Sequence, residues 1–454
     1  MMQNIEEKEL DILKNAVSNI EKIKDSKKMQ SPEIKNILII VEKFIKQRKL
    51  ICYGGTAINN ILPTNKQFYD KDIELPDYDV FSPTPIKHVI QLSKIYKKNG
   101  YNDIEAKSGM HYGTYKLYVN FIPILDITHC NKKIFTNLKK ESIMKNCILN
   151  ASPNFLRMSM YQELSRPKGD TTRWEKVLKR LNLLNNAYPI VAKKCNTKTN
   201  NKIDNIKTIL NIIKDYSIKN KLVFFGEYAV MLYGKHMSTT LKNKYKNYSY
   251  FDVLSKNGIA TSNELLDELK KNNINNVEIK MHKGIDEIVP IQYELSINNQ
   301  PLIYIYETMS CYSYNTIKVS NKKVNIASID TIFSLYLIFL YLNRDYYDKN
   351  KILCTIDSLF KLQRKNRLKT KGLLKRFGEK CYGSQESFES IKSIKAKMYK
   401  KLKTKKNKKE FKKWFLKYKP KSIDSKTKKT KKTKTKKIKT KNKTKKINKS
   451  KSKK

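Results

Sequence analysis

"KLICYGGTAINNILP", residues 49–63, decides the reading of this chain. A short apolar run from Leu50 to Tyr53 stops at Gly54 and Gly55, then resumes through Thr56-Ala57-Ile58. With only 13 glycines in 454 residues, two side by side mark a strand-to-helix turn where backbone N–H groups can approach a phosphate closely. Thr56 would add a hydroxyl donor. An ordinary tight turn explains two glycines equally well, so residues further along have to decide.

The next signal is "PDYDVFSP", residues 76–83. Alternation along a strand puts Asp77 and Asp79 on one face, where both carboxylates can share hard cations such as Mg²⁺. Asp72 and Glu74 in "KDIELP" have the same spacing, but Pro76 follows closely and disfavours a continuing strand there. A third acid, Asp126, ends the apolar run of "YVNFIPILDIT", and an acid on a buried strand needs a partner or a metal. A strand-end acid facing solvent is the plain alternative for Asp126 taken singly.

The same pattern returns weakly later in the chain. "LICYGGTAI" at 50 matches "LVFFGEYAV" at 222, and "YDVFS" at 78 matches "FDVLS" at 251. "LDITHC" at 125 can be set beside "YETMSC" at 306, and the apolar helix near Ala151 beside that near Ala327. The offsets of 172, 173, 181 and 176 residues come in the same order, which predicts a tandem duplication of one α/β domain. In the second copy Gly226 remains, but Glu227 replaces the second glycine and Tyr250 replaces the first aspartate. Asp252 is left alone, with Glu307 set roughly where Asp126 lies. That is a poor two-metal site, and the second copy is expected to be catalytically dead.

The expected organisation is a helical region over 1–48, a catalytic α/β domain over 49–195 and a polar linker with a helix over 196–220. A degenerate copy with a helical end follows over 221–395, then a basic, mostly disordered tail over 396–454. The fold class is therefore α/β (α+β), with mixed sheets flanked by helices. The last thirty residues hold seventeen lysines and no acid or aromatic residue, so they cannot form a core.

A net charge of +54 points to a polyanionic partner, RNA or DNA above all. Part of the 86 Lys against 9 Arg reflects A/T-rich coding, but the charge is present whatever its origin. Four of the nine arginines, Arg157, Arg166, Arg173 and Arg180, lie in "RMSMYQELSRPKGDTTRWEKVLKR" together with Lys168, Lys176 and Lys179. Planar, bidentate contacts to triphosphate or primer are one use for them. Pairing with Glu163, Asp170 and Glu175 is the structural alternative.

The seven cysteines are scattered without Cys-x-x-Cys or zinc spacing, and read as reduced thiols. The longest apolar run, "TIFSLYLIFLYL" at 331–342, falls short of the roughly 20 residues a spanning helix needs. A soluble, non-secreted protein with no membrane partner is expected.

Gly-Gly, then Asp-x-Asp, then a later strand acid resembles the nucleotidyltransferase superfamily of the DNA polymerase β type over residues 49–130. More narrowly, "YGGTAINNILP", "DIELPDYDVFSP" and "FLRMSMYQELSRPKGDTTRWEKVLKRLNLLN" look like the poly(A) polymerase catalytic subunits of large cytoplasmic DNA viruses, of the poxvirus, asfarvirus and mimivirus type. The resemblance implies template-independent addition of AMP from ATP to a single-stranded RNA 3′ end. Two Mg²⁺ or Mn²⁺ ions would sit on Asp77, Asp79 and Asp126, with Asp126 the proton acceptor. Gly54, Gly55 and Thr56 would hold the nucleotide phosphates, helped by Arg157 and Lys168. It further implies self-association or a separate viral processivity subunit, and a location in the host cytoplasm, at virus factories or in the virion. Another RNA 3′-end nucleotidyltransferase, or a non-catalytic RNA-binding protein on this fold, are the competing readings.

Overall fold

The computed structural model describes residues 5–70, 73–192, 195, 206–342, 344, 346–405 and 408–421. Helix α1 (Ile5–Gln30) leads into α2 (Pro32–Arg48), which starts with proline at its first turn. Lys49 ends α2 in the left-handed conformation, its N–H returned to the Ile45 and Lys46 carbonyls. This turn delivers the chain into β1 (Ile51–Tyr53). The apolar stripe of α2 is buried against the sheet, whereas Leu13, Val17 and Ile20 of α1 are exposed.

From β1 the chain runs through α3 (Gly54–Ile61), β2 (Tyr78–Ser82), α4 (Pro85–Lys98), β3 (Ile104–Ser108), β4 (Thr114–Val119) and β5 (Ile122–His129). It continues through α5 (Lys132–Glu141), β6 (Ile143–Lys145), β7 (Ile148–Asn150), α6 (Pro153–Leu164) and α7 (Trp174–Ala187). After α8 (Ile206–Lys219) come β8 (Val223–Phe224), α9 (Glu227–Gly234), α10 (Thr239–Lys244), β9 (Phe251–Ser255) and α11 (Gly258–Lys271). Then follow β10 (Glu278–His282), β11 (Gln292–Ile297), β12 (Gln300–Glu307), β13 (Tyr312–Val319), β14 (Lys322–Ala327), α12 (Ile329–Phe339) and α13 (Lys349–Lys365). The last elements are β15 (Cys381–Tyr382), α14 (Phe388–Leu402), α15 (Lys409–Phe415) and β16 (Lys417–Tyr418).

The first sheet has the order β16-β3-β4-β5-β2-β1-β7-β6 and the second β10-β11-β12-β9-β8-β14-β13-β15. Setting aside one added edge strand in each, the two orders are the same. The pairings agree as well: β1 with β2 and β8 with β9 are antiparallel, while β2 with β5 and β9 with β12 are parallel. The duplication reaches down to an irregularity. In β4–β5 the register shifts at Leu117/Tyr118, where Tyr118 faces Pro123; in β11–β12 it shifts at Leu295/Ser296, where Ser296 faces Pro301. A proline lacks the N–H the ladder needs, so a bulge beside it is the natural accommodation.

The copies meet through α6 and α12, where Phe155 packs edge-on to Tyr341 at 5.3 Å and Tyr161 to Phe333 at 4.8 Å. Asp286 from the second copy accepts the Asn131 N–H at 3.0 Å, just past β5.

Two expectations are corrected here. Not all cysteines are thiols: Cys195 is bonded to Cys354 and Cys311 to Cys381. These pairs are 159 and 70 residues apart and are brought together only by the tertiary fold, so no local spacing betrays them. Cys52, Cys130 and Cys147 are free. Likewise residues 396–421 are not part of a structureless tail. Tyr399 packs on Phe411 and Phe415, joining α14 to α15, and β16 pairs antiparallel with β3. Aromatic residues, absent further on, make this segment foldable. Residues 422–454 lie outside the described residues, as do Asp72 and most of the 196–205 linker. Among the described residues no helix is long and apolar enough to cross a membrane.

Candidate active site

Strand β1 ends at Tyr53 and the chain turns directly into α3, with Gly54 at φ +72°. A Cβ on Gly54 would lie 2.8 Å from Asp79 Oδ2, so glycine is required here both for conformation and for room. Asp79 is paired across the sheet with Tyr53 on one side and Asp126 on the other. The opening of α3 and two of the three predicted acids therefore converge at one place. Asp77 stands exposed just before β2. The same-face alternation expected for Asp77 and Asp79 is thus continued from a residue outside the strand proper.

The field at this site is strongly negative. Burial, then the charges of Asp77 and Asp126, push the Asp79 carboxyl up to about 7. Burial also raises Asp126, opposed by Lys116, whose Nζ donates to Asp126 Oδ2 at 2.5 Å. Among the described residues no group of three or more His, Cys, Asp or Glu side chains is gathered as a ready metal cage. Three carboxylates that raise one another's proton affinity nevertheless fit a hard divalent cation, and a cation reaching Asp126 would compete with Lys116.

Other predicted residues divide. The Thr56 hydroxyl is donated to the Asp77 carbonyl at 2.6 Å, so it fixes the acid-bearing loop rather than reaching toward phosphate. Arg157 is corrected outright. Only 1 % exposed, it donates through Nε to Asn185 and through Nη1 to Asn154, both at 2.7 Å, and holds α6 to α7 from within. Arg157→Ala should lower stability by about 3 kcal/mol through the cavity it leaves. The KM for nucleotide should stay unchanged, as thermal melts beside steady-state kinetics would reveal. Lys168 is exposed in the turn between α6 and α7 and stands by charge alone.

Arg180 and Lys116 carry more than the sequence reading gave them. Arg180 donates to the Tyr69 hydroxyl at 2.5 Å and lies over the Phe68 ring at 4.8 Å. A Cβ on Gly55 would sit 2.9 Å from Arg180 Nη1, so this guanidinium packs on the second glycine. Arg173 bears on Asp79 electrostatically and also pairs with Glu163 at 3.6 Å, so both uses foreseen for the arginine cluster occur. Helix spacing gave a usable signal, since Arg173 and Arg180 are seven residues apart on α7. Arg180→Ala should raise the nucleotide KM by about 10–100-fold, the effect of one charge-assisted hydrogen bond. Initial-rate kinetics would check it, and an unchanged KM would reduce Arg180 to packing.

The second copy keeps the frame and changes the contents. Asp252 is buried on β9 as Asp79 is placed on β2, and Tyr250 precedes the strand as Asp77 does. Glu227, at the first position of α9, accepts the Ser249 N–H at 2.7 Å and is ion-paired with Lys351. The placement of Glu307 opposite Asp126 is corrected: Asp252 pairs with Tyr304, and Glu307 instead accepts the Gly258 N–H at 3.0 Å at the start of α11. The equivalent of Asp126 is therefore a tyrosine.

Burial and then Glu227 raise the Asp252 carboxyl to about 8. Its unfolded value is about 3.9, so the folded chain holds the extra proton between these limits. The stability this contributes is complete below about pH 4 and is lost as pH rises through 8. Asp252→Asn should therefore melt increasingly above the wild type over that window, by up to about 1.4 kcal/mol per pH unit. Parallel melting curves for the two proteins would expose a flat difference if this were wrong.

Comparison with known proteins agrees with this geometry. Residues 39–170, which contain the Gly-Gly turn and all three acids, match the family described as Poly(A) polymerase catalytic subunit. The resemblance is to viral poly(A) polymerases. An Acanthamoeba polyphaga mimivirus protein, named "Putative poly(A) polymerase catalytic subunit", is 25% identical over 388 residues, covering 77% of this chain and 65% of that protein. A protein of the same name from African swine fever virus (isolate Tick/Malawi/Lil 20-1/1983) is 27% identical over 180 residues, 38% of each. The chain thus spans just under two thirds of the mimivirus relative and less than half of the asfarvirus one. The crystal structure of the Megavirus polyadenylate synthase superposes with a TM-score of 0.79 at 20% identity, covering 94% of this chain and 88% of that one. At that identity the superposition speaks for the fold, duplicated sheets included.

Proposed function

We propose that this chain is a template-independent RNA nucleotidyltransferase that adds AMP from ATP to RNA 3′ ends, acting on viral mRNA in the host cytoplasm. The observation that carries the reading is the meeting of Asp79 and Asp126 on adjacent parallel strands with the glycine-opened N-terminus of α3. Gly54 leaves the space in which a phosphate can approach backbone N–H groups, and Arg180 adds charge beside Gly55. Asp77, Asp79 and Asp126 would hold divalent cations, Mg²⁺ or Mn²⁺, which when bound supply charge neutralisation and an acidified 3′-hydroxyl. Asp126 is the residue to take the hydroxyl proton, and Lys116 keeps it oriented beforehand. The names of the viral relatives support ATP and RNA as substrates, with the second copy a non-catalytic scaffold.

The test is extension of a labelled RNA primer with each nucleoside triphosphate in turn, with Mg²⁺ or Mn²⁺, beside the Asp77→Ala, Asp79→Ala double variant. Long tails with ATP alone, absent in the variant, are expected. Equal extension by the variant would remove the catalytic assignment and leave an RNA-binding protein.

A further inference from the structure

The second copy has lost its acids but not its cleft. Where the first copy gathers carboxylates, a cavity of about 470 Å³ opens among Tyr250, Asp252, Tyr336, Tyr346, Tyr347 and Lys351. Its chemistry has been rebuilt. Glu227 and Lys351 are paired with each other, so the cleft is charge-balanced where a triphosphate site needs a cationic surplus. Four tyrosines supply flat, apolar walls with polar tips. The one buried acid, Asp252, receives only a long 3.4 Å bond from the Tyr306 hydroxyl on Oδ1. Held neutral by burial, it offers an O–H donor and a carbonyl acceptor side by side.

A ligand suited to this cleft is neutral, planar and edged by an adjacent donor and acceptor. Adenine meets all three conditions, since its amino group can donate to the acid's carbonyl while a ring nitrogen accepts the acid's proton. Guanine presents two adjacent N–H donors on its pairing edge, which suit a carboxylate and not a neutral acid. A purine also matches the cavity's size, and stacking on tyrosine suits unpaired bases.

We propose that the cleft of the second copy is an adenine-binding site that recognises the base, not the triphosphate, and performs no chemistry. The proposal stands apart from the catalytic reading, because it concerns binding without turnover. Adenine could arrive as free nucleoside or nucleotide or as a residue of an RNA chain, and the competition arms below separate these sources.

The experiment is photolabelling of the full-length chain with 8-azidoadenosine in the presence of EDTA, followed by peptide mapping. Labelling is expected on peptides containing Tyr250 or Tyr336–Tyr347, displaced by adenosine and at least tenfold less effectively by guanosine. Stacking is worth about 1–3 kcal/mol per base, so Tyr250→Leu or Tyr346→Leu should weaken displacement by about tenfold, with melting curves confirming that each variant is folded. Asp252→Asn, which offers the same donor and acceptor pair, should retain labelling, whereas a purely structural acid would leave selectivity against guanosine unexplained. ATP competing no better than adenosine would identify the free base as the unit recognised. Oligo(A) competing at lower concentration than adenosine would identify an RNA chain as the source. Label confined to peptides within residues 49–187, or displaced equally by guanosine, would overturn the proposal. A protein inactive in primer extension but labelled at these tyrosines would sink the catalytic reading and leave this one standing.

Discussion

Asp79→Asn will abolish AMP addition to within about one part in a thousand, while making the protein no less stable. The first half follows if Asp79 holds a cation between the acids, since about 4 kcal/mol of transition-state stabilisation corresponds to that loss. The second half follows from the carboxyl's position. Burial and the charges of Asp77 and Asp126 raise Asp79 to about 7, so the folded chain at pH 8 carries an ionised acid that its surroundings oppose. Asparagine removes that opposition. A melting temperature equal to or above the wild type at pH 8, with activity lost, is the signature of a residue kept for function against stability. Cation binding by the wild type should weaken below about pH 7 as Asp79 takes up its proton, measurable by titration calorimetry with Mn²⁺. An Asp79→Asn variant that extends primers at even a tenth of the wild-type rate would exclude this residue from the metal site.

The largest loss of stability should come from the corresponding position of the inactive copy. A Cβ on Gly226 would fall 1.7 Å from Asp252 Oδ2, and Asp252 is buried with no open direction in which to turn. Gly226→Ala should therefore cost about 3 kcal/mol, the upper range of overpacking a core, and show in chemical denaturation as a shifted midpoint. Gly54→Ala meets a milder clash, 2.8 Å from an acid that is only half-buried, so the variant should fold and lose activity instead. One glycine thus serves a reaction and its counterpart a core. Equal stability losses in the two variants would contradict that division.

The parts of this architecture visible in the sequence were those carried by local pattern. Gly-Gly after a short apolar run, Asp-x-Asp before Val80 and Phe81, and the spaced repeat of both were sufficient for the sheet and its duplication. What escaped depends on register and tertiary approach. Counting outward from the Val119–Ile122 pair would place Tyr115 opposite Asp126; the bulge at Leu117/Tyr118 brings Lys116 there instead. The same bulge in the second copy puts Tyr304, and not Glu307, in the place of Asp126. Arg157 and Arg180 look alike in a string of letters, but one is sealed between α6 and α7 and the other touches Gly55. The cysteine pairs required the whole fold to be known.

The return of the chain to its starting sheet bears on how the protein can be divided. Strand β16 hydrogen-bonds to β3, the Tyr115 hydroxyl donates to the Lys413 carbonyl at 2.8 Å, and Lys395 Nζ donates to the Gly109 carbonyl at 2.6 Å. The second copy is therefore enclosed between the first sheet and that sheet's own border strand. A fragment cut after α7 would carry the complete set of acids yet leave β3 as a bare edge, its backbone groups free to pair with a neighbouring molecule. The separable unit is a discontinuous one, residues 5–192 joined to 388–421.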